Sequence, residues 1–103
     1  MNAPVVRITV LVDNRAGEGL TAEHGLALWV EAGGRRLLFD TGAGQALPPN
    51  AAALGLDPAR TQTLVLSHGH WDHTGGIAWL RRQAPHLEVF AHPGVVQPRY
   101  SIR

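Results

Sequence analysis

Short apolar stretches alternate along the chain with turns that contain glycine, proline or asparagine. The segment from Val5 to Val12 is rich in β-branched residues and ends at Asp13-Asn14, which predicts a strand followed by a turn. The apolar stretches 26–31 and 36–39 flank Gly33-Gly34, and this arrangement predicts a β-hairpin. The first forty residues are therefore expected to form three strands.

Helices and strands alternate in the rest of the chain. Residues 48–54 begin with two prolines and precede a glycine, which predicts a short helix. The segment 64–66 is wholly apolar, as expected for a short strand that is covered on both faces. Residues 77–83 have a helical pattern, and residues 87–91 form one more predicted strand. This order of elements predicts an α/β fold with a mixed β-sheet and helices packed on one face.

Composition narrows the possible functions. A chain of 103 residues with 45% hydrophobic and 17% charged residues suits a single globular domain, residues 1–103. The net charge of +1 gives no reason to expect a nucleic-acid partner. Because there is no cysteine, disulfides and thiolate metal sites are excluded. No segment is predicted to span a membrane and no signal peptide is evident, so we expect a cytoplasmic protein. The expected partner is a small-molecule substrate.

The densest cluster of potentially reactive side chains follows the predicted strand 64–66. Three histidines and one aspartate lie within six positions, at His68, His70, Asp72 and His73. Neutral imidazoles and a carboxylate are ligands for zinc and similar divalent metals. In an extended segment residues two apart share a side, so His68 and His70 are able to bind one ion together. Four potential ligands in one loop are enough for two adjacent metals.

At these residues the chain resembles the metallo-β-lactamase superfamily, whose signature is His-x-His-x-Asp-His after a buried strand. The resemblance implies that His68 and His70 bind one metal and that Asp72 and His73 bind a second. It also implies that Asp72 holds the attacking water and so has a catalytic role. The implied cofactor is zinc, as one or two ions, with manganese or iron as other possibilities.

A second motif supports the same resemblance. Leu38-Phe39-Asp40-Thr41-Gly42 is similar to the strand-end motif that precedes the metal loop in this superfamily. The resemblance implies that Asp40 orients the metal loop from outside the ligand set. Trp71 lies between the predicted metal-binding positions, and we expect it to wall a substrate pocket.

Three further segments, 9–14, 22–26 and 90–93, resemble a narrower branch of metal-dependent hydrolases. This branch is related to the dihydropterin ribofuranosyl-aminobenzene phosphate synthases. The resemblance implies that His24 lines the substrate pocket, whereas the alternative is a histidine that closes the turn before a strand.

The resemblance covers nearly the whole chain but only the amino-terminal half of the superfamily's αββα sandwich. Family sites take further ligands from later in the chain, and after His73 only His86 and His92 remain. We therefore expect a fragment of a longer hydrolase, inactive as an isolated chain. Such a fragment is expected to self-associate or to pair with the missing carboxy-terminal half.

Two other functions are compatible with the sequence. One is a non-catalytic remnant that binds metal without performing hydrolysis. The other is a retroviral-type aspartic protease, because Asp40-Thr41-Gly42 after an apolar run also resembles the catalytic loop of that family. The protease hypothesis leaves the histidine cluster unexplained.

Overall fold

The computed structural model describes residues 5–67 and 75–91, which form five strands, two helices and one 3₁₀ turn. All the predicted strands and helices are present, each within one residue of its expected ends. Their bounds are β1 Val6–Val12, β2 Ala27–Ala32, β3 Arg35–Phe39, α1 Leu47–Ala53, the 3₁₀ turn Pro58–Arg60, β4 Thr63–Leu66, α2 Ile77–Gln83 and β5 Glu88–Ala91.

The five strands form one sheet in the order β1-β2-β3-β4-β5. β1, β2 and β3 pair antiparallel, whereas β3, β4 and β5 pair parallel, so the predicted mixed sheet is confirmed. The turn between β2 and β3 contains Gly33 and Gly34, whose φ angles are 56° and 80°. Because two consecutive positive φ angles suit a tight hairpin and glycine adopts them without strain, these two residues explain the β2-β3 hairpin.

Both helices pack on the same face of the sheet, as predicted. The connections from β3 to β4 and from β4 to β5 step in one direction across the sheet, and right-handed crossovers then place their helices on one side. On this side Trp29, Leu38 and Leu64 lie in one cross-strand row and pack with Leu47 of α1 and Leu80 of α2. Within the described residues, no helix is long and apolar enough to cross a membrane.

The other side of the sheet, here named the open face, is also apolar. Val10, Leu28, Phe39, Val65 and Phe90 form one row across all five strands. Val10 and Phe90 are 50% and 56% exposed, and the other three are half-buried. The expectation that β4 is covered on both faces is therefore wrong for the described residues, because they place helices on one side only. The open face consists of Ile8, Val10, Leu28, Val30, Leu37, Phe39, Val65 and Phe90.

A bulge in β1 is a feature that the sequence pattern did not predict. The pairing of β1 with β2 shifts between Val10 and Val12, which leaves Leu11 as the extra residue. The side chain of the buried Asn50 donates to the carbonyl oxygen of Leu11 at 2.8 Å. Helix α1 thus supplies a hydrogen-bond donor to a backbone carbonyl at the bulge.

Candidate functional site

The topology brings four chain segments to one edge of the sheet. β1, β3 and β4 run in the same direction, so Asp13, Asp40 and Ser67, which follow them, lie at a common edge. β2 runs in the opposite direction and begins at this edge, where it is preceded by residues 23–26. We refer to this as the strand-end edge. Ligand sites in α/β sheets commonly form at the carboxyl ends of parallel strands.

Asp40 binds the first residue after β4. Its carboxylate is fully buried and accepts hydrogen bonds from the backbone N–H of Ser67 at 2.8 Å and from the Ser67 hydroxyl at 2.6 Å. Its own N–H donates to the carbonyl oxygen of Val65 at 2.8 Å. Since a buried carboxylate requires such donors, Asp40 and Ser67 hold each other in place directly before residues 68–74.

The next two residues, Thr41 and Gly42, accept hydrogen bonds from the residues that follow residues 68–74. The hydroxyl oxygen of Thr41, which is fully buried, accepts a hydrogen bond from the N–H of Gly76 at 2.8 Å. The carbonyl oxygen of Gly42 accepts one from the N–H of Gly75 at 2.9 Å. Residues 40–42 are therefore bonded to the residues on both sides of residues 68–74.

Only glycine fits at position 75, because the backbone there lies against the backbone of Ala43. A Cβ atom at Gly75 would lie 2.0 Å from the carbonyl oxygen of Ala43, and one at Gly44 would lie 2.7 Å from the carbonyl oxygen of Gly75. These distances are shorter than any van der Waals contact, and the neighbouring atoms belong to the backbone. The loop after β3 and the start of the segment before α2 thus pack backbone against backbone.

Glu23 is a residue of this edge whose importance the sequence analysis missed. One carboxylate oxygen accepts from the N–H of Ala43 at 2.9 Å, and the other accepts from those of Gln45 and Ala46 at 3.0 and 3.1 Å. Glu23 precedes β2 and its three donors follow β3. No local pattern connects positions 20 to 23 residues apart, and the only signal in the sequence was an acidic residue next to the predicted pocket residue His24.

The predicted site residues fall into two groups. Asp40 and His24 both lie at the strand-end edge, and His24 is exposed in a bend between Glu23 and Leu26. The remaining predicted residues lie outside the described part of the chain, and their assignments stay predictions: His68, His70, Trp71, Asp72 and His73. Among residues 5–67 and 75–91, no group of three or more His, Cys, Asp or Glu side chains is able to hold a metal ion.

The burial of Asp40 argues against the aspartic protease hypothesis. In such proteases two aspartates approach each other across a subunit interface and share a proton. The carboxylate of Asp40 is 0% exposed and bonded to Ser67 of its own chain. It is therefore unable to meet a second aspartate unless the edge of the sheet opens.

Sequence comparison identifies relatives over most of the chain. The model of the metallo-beta-lactamase superfamily matches residues 20–100. The chain is 30% identical to a 7,8-dihydropterin-6-methyl-4-(beta-D-ribofuranosyl)-aminobenzene-5'-phosphate synthase of Methanocaldococcus jannaschii, over 93% of this chain and 35% of that protein. It is 37% identical to ribonuclease Z of a Bradyrhizobium species, over 67% of this chain and 24% of that protein.

Comparison with solved structures identifies proteins of the same superfamily. A metal-dependent hydrolase of the beta-lactamase superfamily matches with a TM-score of 0.63 and 37% identity, over 73% of this chain and 27% of that one. The Rm3 metallo-beta-lactamase matches with a TM-score of 0.61 and 29% identity, over 84% of this chain and 29% of that one. The chain spans 35% and 37% of the length of the two curated relatives that it matches over more than nine-tenths of its own length.

Proposed function

The chain belongs to the metallo-β-lactamase superfamily, and we propose that it carries the metal-binding loop of a metal-dependent hydrolase. Family membership confirms the resemblance found in the sequence. The mixed sheet, the helices on one face and the partial matches fit the amino-terminal half of the superfamily fold. The observation that carries the proposal is the pair of anchors that residues 40–42 provide for the loop 68–74.

The donor set of that loop fits zinc. Imidazole nitrogens and a carboxylate oxygen suit a borderline metal, and the chain has no cysteine to offer instead. We assign His68 and His70 to one ion and Asp72 and His73 to a second, with manganese or iron as other metals for the same donors. When bound, the metal lowers the pKa of a water and polarises the bond to be hydrolysed.

The residues of the chain then have separate tasks. Asp40 holds Ser67, so that the histidine segment starts from a fixed position, and Thr41 and Gly42 fix the position where it ends. Asp72 is assigned to hold the attacking water. A ligand loop that is fixed at both flanks loses less conformational entropy when the metal binds, which favours affinity.

We propose a small-molecule substrate for the whole protein. His24 lies at the strand-end edge and Trp71 is part of the ligand segment, so both are assigned to the substrate pocket. The relatives of the chain include a ribonuclease Z and a hydroxyacylglutathione hydrolase. These relatives belong to a superfamily that includes hydrolases, and we propose hydrolysis as the reaction class of the whole protein.

The second candidate is a metal-binding remnant without catalysis. A catalytic zinc commonly has three protein ligands and a water. The assignment gives the first metal only His68 and His70 within residues 1–103, and the chain spans 35% of the length of the synthase that it matches. Residues 1–103 alone are therefore expected to bind metal weakly and not to catalyse hydrolysis.

Metal content tests the proposal. We expect the full-length protein, purified without added metal and then dialysed against zinc, to retain zinc, and its variant His70→Ala to lose most of it. His86→Ala is the matched control, because His86 is exposed and lies between α2 and β5, outside the strand-end edge. The measurement is elemental analysis of each variant.

Two outcomes would contradict the metal site or the non-catalytic remnant. Less than a tenth of an equivalent of any transition metal, before and after zinc is supplied, would refute the metal site. Metal-dependent hydrolysis of a phosphodiester, lactone or β-lactam by residues 1–103, abolished by His70→Ala, would show that these residues are sufficient and would exclude the remnant.

A further inference from the structure

We propose that Glu23 is a positioning residue for the metal loop, acting through the backbone of residues 42–46. This inference rests on the proposed metal-binding function. It assigns a role to a carboxylate that accepts three backbone hydrogen bonds from residues 43–46.

Glu23 is itself held firmly at the strand-end edge. Its N–H donates to the carbonyl oxygen of Asp13 at 3.0 Å. Three residues later, the carbonyl oxygen of Leu26 accepts from the N–H of Gly42 at 2.9 Å. The segment before β2 is thus bonded to the residue that follows β1 on one side and to the loop after β3 on the other. The Glu23 carboxylate therefore has a fixed position next to the loop after β3.

Residues 42–44 connect Glu23 to the end of the predicted metal-binding segment. A Cβ at Gly42 would lie 2.7 Å from the Glu23 carboxylate, which shows how closely the carboxylate is packed against the loop. The carbonyl of Gly42 accepts from the N–H of Gly75, and Ala43 and Gly44 pack backbone against backbone on Gly75. Gly75 directly follows the loop 68–74. A shift of residues 42–44 would therefore displace the end of the ligand segment.

A carboxylate is the group that this arrangement needs. Two oxygens that only accept hydrogen bonds face three N–H donors. In Glu23→Gln one oxygen becomes an NH₂ group, which would point donors at donors. In Glu23→Asp the carboxylate remains but is one methylene shorter, so only part of the contact is expected to survive.

Cobalt(II) is the probe for the test, because it accepts the same ligands as zinc and its visible absorption reports ligand geometry. The cobalt Kd of the full-length protein and of its variants is measured by competition with a chelating indicator, under conditions in which circular dichroism shows every variant folded. We expect Glu23→Gln to raise the cobalt Kd about tenfold, at the lower end of the losses caused by residues that support ligands. We also expect an altered visible spectrum at cobalt saturation.

The matched control is Glu31→Gln. It makes the same chemical change at a carboxylate that accepts from the Trp29 indole N–H at 2.8 Å, at the far end of β2. Its cobalt Kd and spectrum are expected to equal those of the unaltered protein. Glu23→Asp is expected to give an intermediate Kd. A residue with only a stabilising role would leave the spectrum at saturation unchanged.

The outcomes separate the two proposals. If the unaltered protein binds no cobalt, the proposed function is wrong and the role of Glu23 is lost with it. If it binds cobalt, but Glu23→Gln and Glu31→Gln have the same Kd within about twofold and the same spectrum, the positioning role is wrong and the metal site stands. If neither Glu23 variant folds without metal, Glu23 serves the fold as a whole, which also overturns a specific positioning role.

Discussion

Asp40 adopts a backbone conformation that few residues other than glycine tolerate. Its φ angle is 60°, and among the described residues no other non-glycine residue has a positive φ. Aspartate and asparagine adopt this region more readily than most residues, since their short polar side chains bond locally. The conformation turns the chain immediately after β3 and places the carboxylate against Ser67. Unusual backbone conformations of this kind cluster at functional sites.

Replacement of Asp40 by Asn tests the role of the carboxylate without disturbing the backbone. Asparagine tolerates the positive φ, but it removes the negative charge of the carboxylate, and its NH₂ group would reverse the hydrogen bond with the Ser67 hydroxyl, which would have to accept instead of donate. We expect zinc affinity to fall by roughly tenfold to a hundredfold, as is typical when a residue that supports a ligand is lost. The measurement is zinc titration against a competing chelator.

The control for this substitution is Asp57→Asn. Asp57 accepts from the N–H of Ala59 at the start of the 3₁₀ turn, in an exposed position away from the strand-end edge. Unchanged zinc affinity in Asp40→Asn would exclude the supporting role. A metal–oxygen distance near 2 Å at Asp40 in a zinc-bound structure would instead make it a direct ligand.

Among the elements, helix α1 depends on one polar side chain for its position on the sheet. Asn50 is 2% exposed and donates to the carbonyl oxygens of Leu11 and Thr21, both at 2.8 Å, while its own side-chain oxygen accepts from the N–H of Thr21 at 2.7 Å. The helix has only seven residues and no side-chain cap at its amino terminus. Tertiary contacts rather than intrinsic helix propensity must therefore stabilise it.

We expect Asn50→Ala to lower the free energy of unfolding by about 2 kcal/mol, because the buried carbonyl of Leu11 would lose its hydrogen-bond partner. Urea unfolding followed by circular dichroism measures the change. Asn14→Ala removes the same side-chain atoms from an exposed turn and is expected to change stability by no more than about 0.5 kcal/mol. Equal effects of the two substitutions would show that the hydrogen bonds of Asn50 contribute nothing specific.

At the scale of the whole molecule, the two faces of the sheet differ in what covers them. One face carries both helices and a core that includes Trp29, Leu38 and Leu64. The open face carries apolar side chains across every strand and is partly exposed, with Ile8 at 60% and Phe90 at 56%. Contiguous exposed apolar surface of this kind is typical of interfaces.

We expect an isolated chain of residues 1–103 to self-associate through the open face. Sedimentation velocity should show species that grow with protein concentration, because association removes the apolar rows from water. The double variant Val10→Gln/Phe90→Gln should shift the distribution toward monomer. Leu54→Gln is the control, since Leu54 is 40% exposed at the end of α1 and not on the open face. A monomer at all concentrations, or an equal effect of the control, would contradict this prediction.

The sequence by itself determined the elements of the fold and the location of the candidate ligands. The hairpin at Gly33-Gly34 and helix α2 matched their predictions because turn residues and apolar periodicity act over a few neighbouring positions. The ligand cluster is likewise a local pattern, and comparison with known proteins confirmed the family that it indicated. The local pattern did not determine the bulge in β1, since the number of residues that oppose each other depends on the partner strand.

Only the tertiary structure decided which distant residues support the strand-end edge. Asp40 meets a partner 27 positions away, Asn50 meets one 39 positions away, and Glu23 meets donors 20 to 23 positions away. Such pairs depend on strand order and register, which place the ends of β1, β3 and β4 together with the start of β2. A hydrogen bond requires atoms within about 3 Å of each other, and positions so far apart in the chain reach that distance only after the sheet has assembled. The sequence therefore specified which groups were available, and the folded sheet specified which of them met.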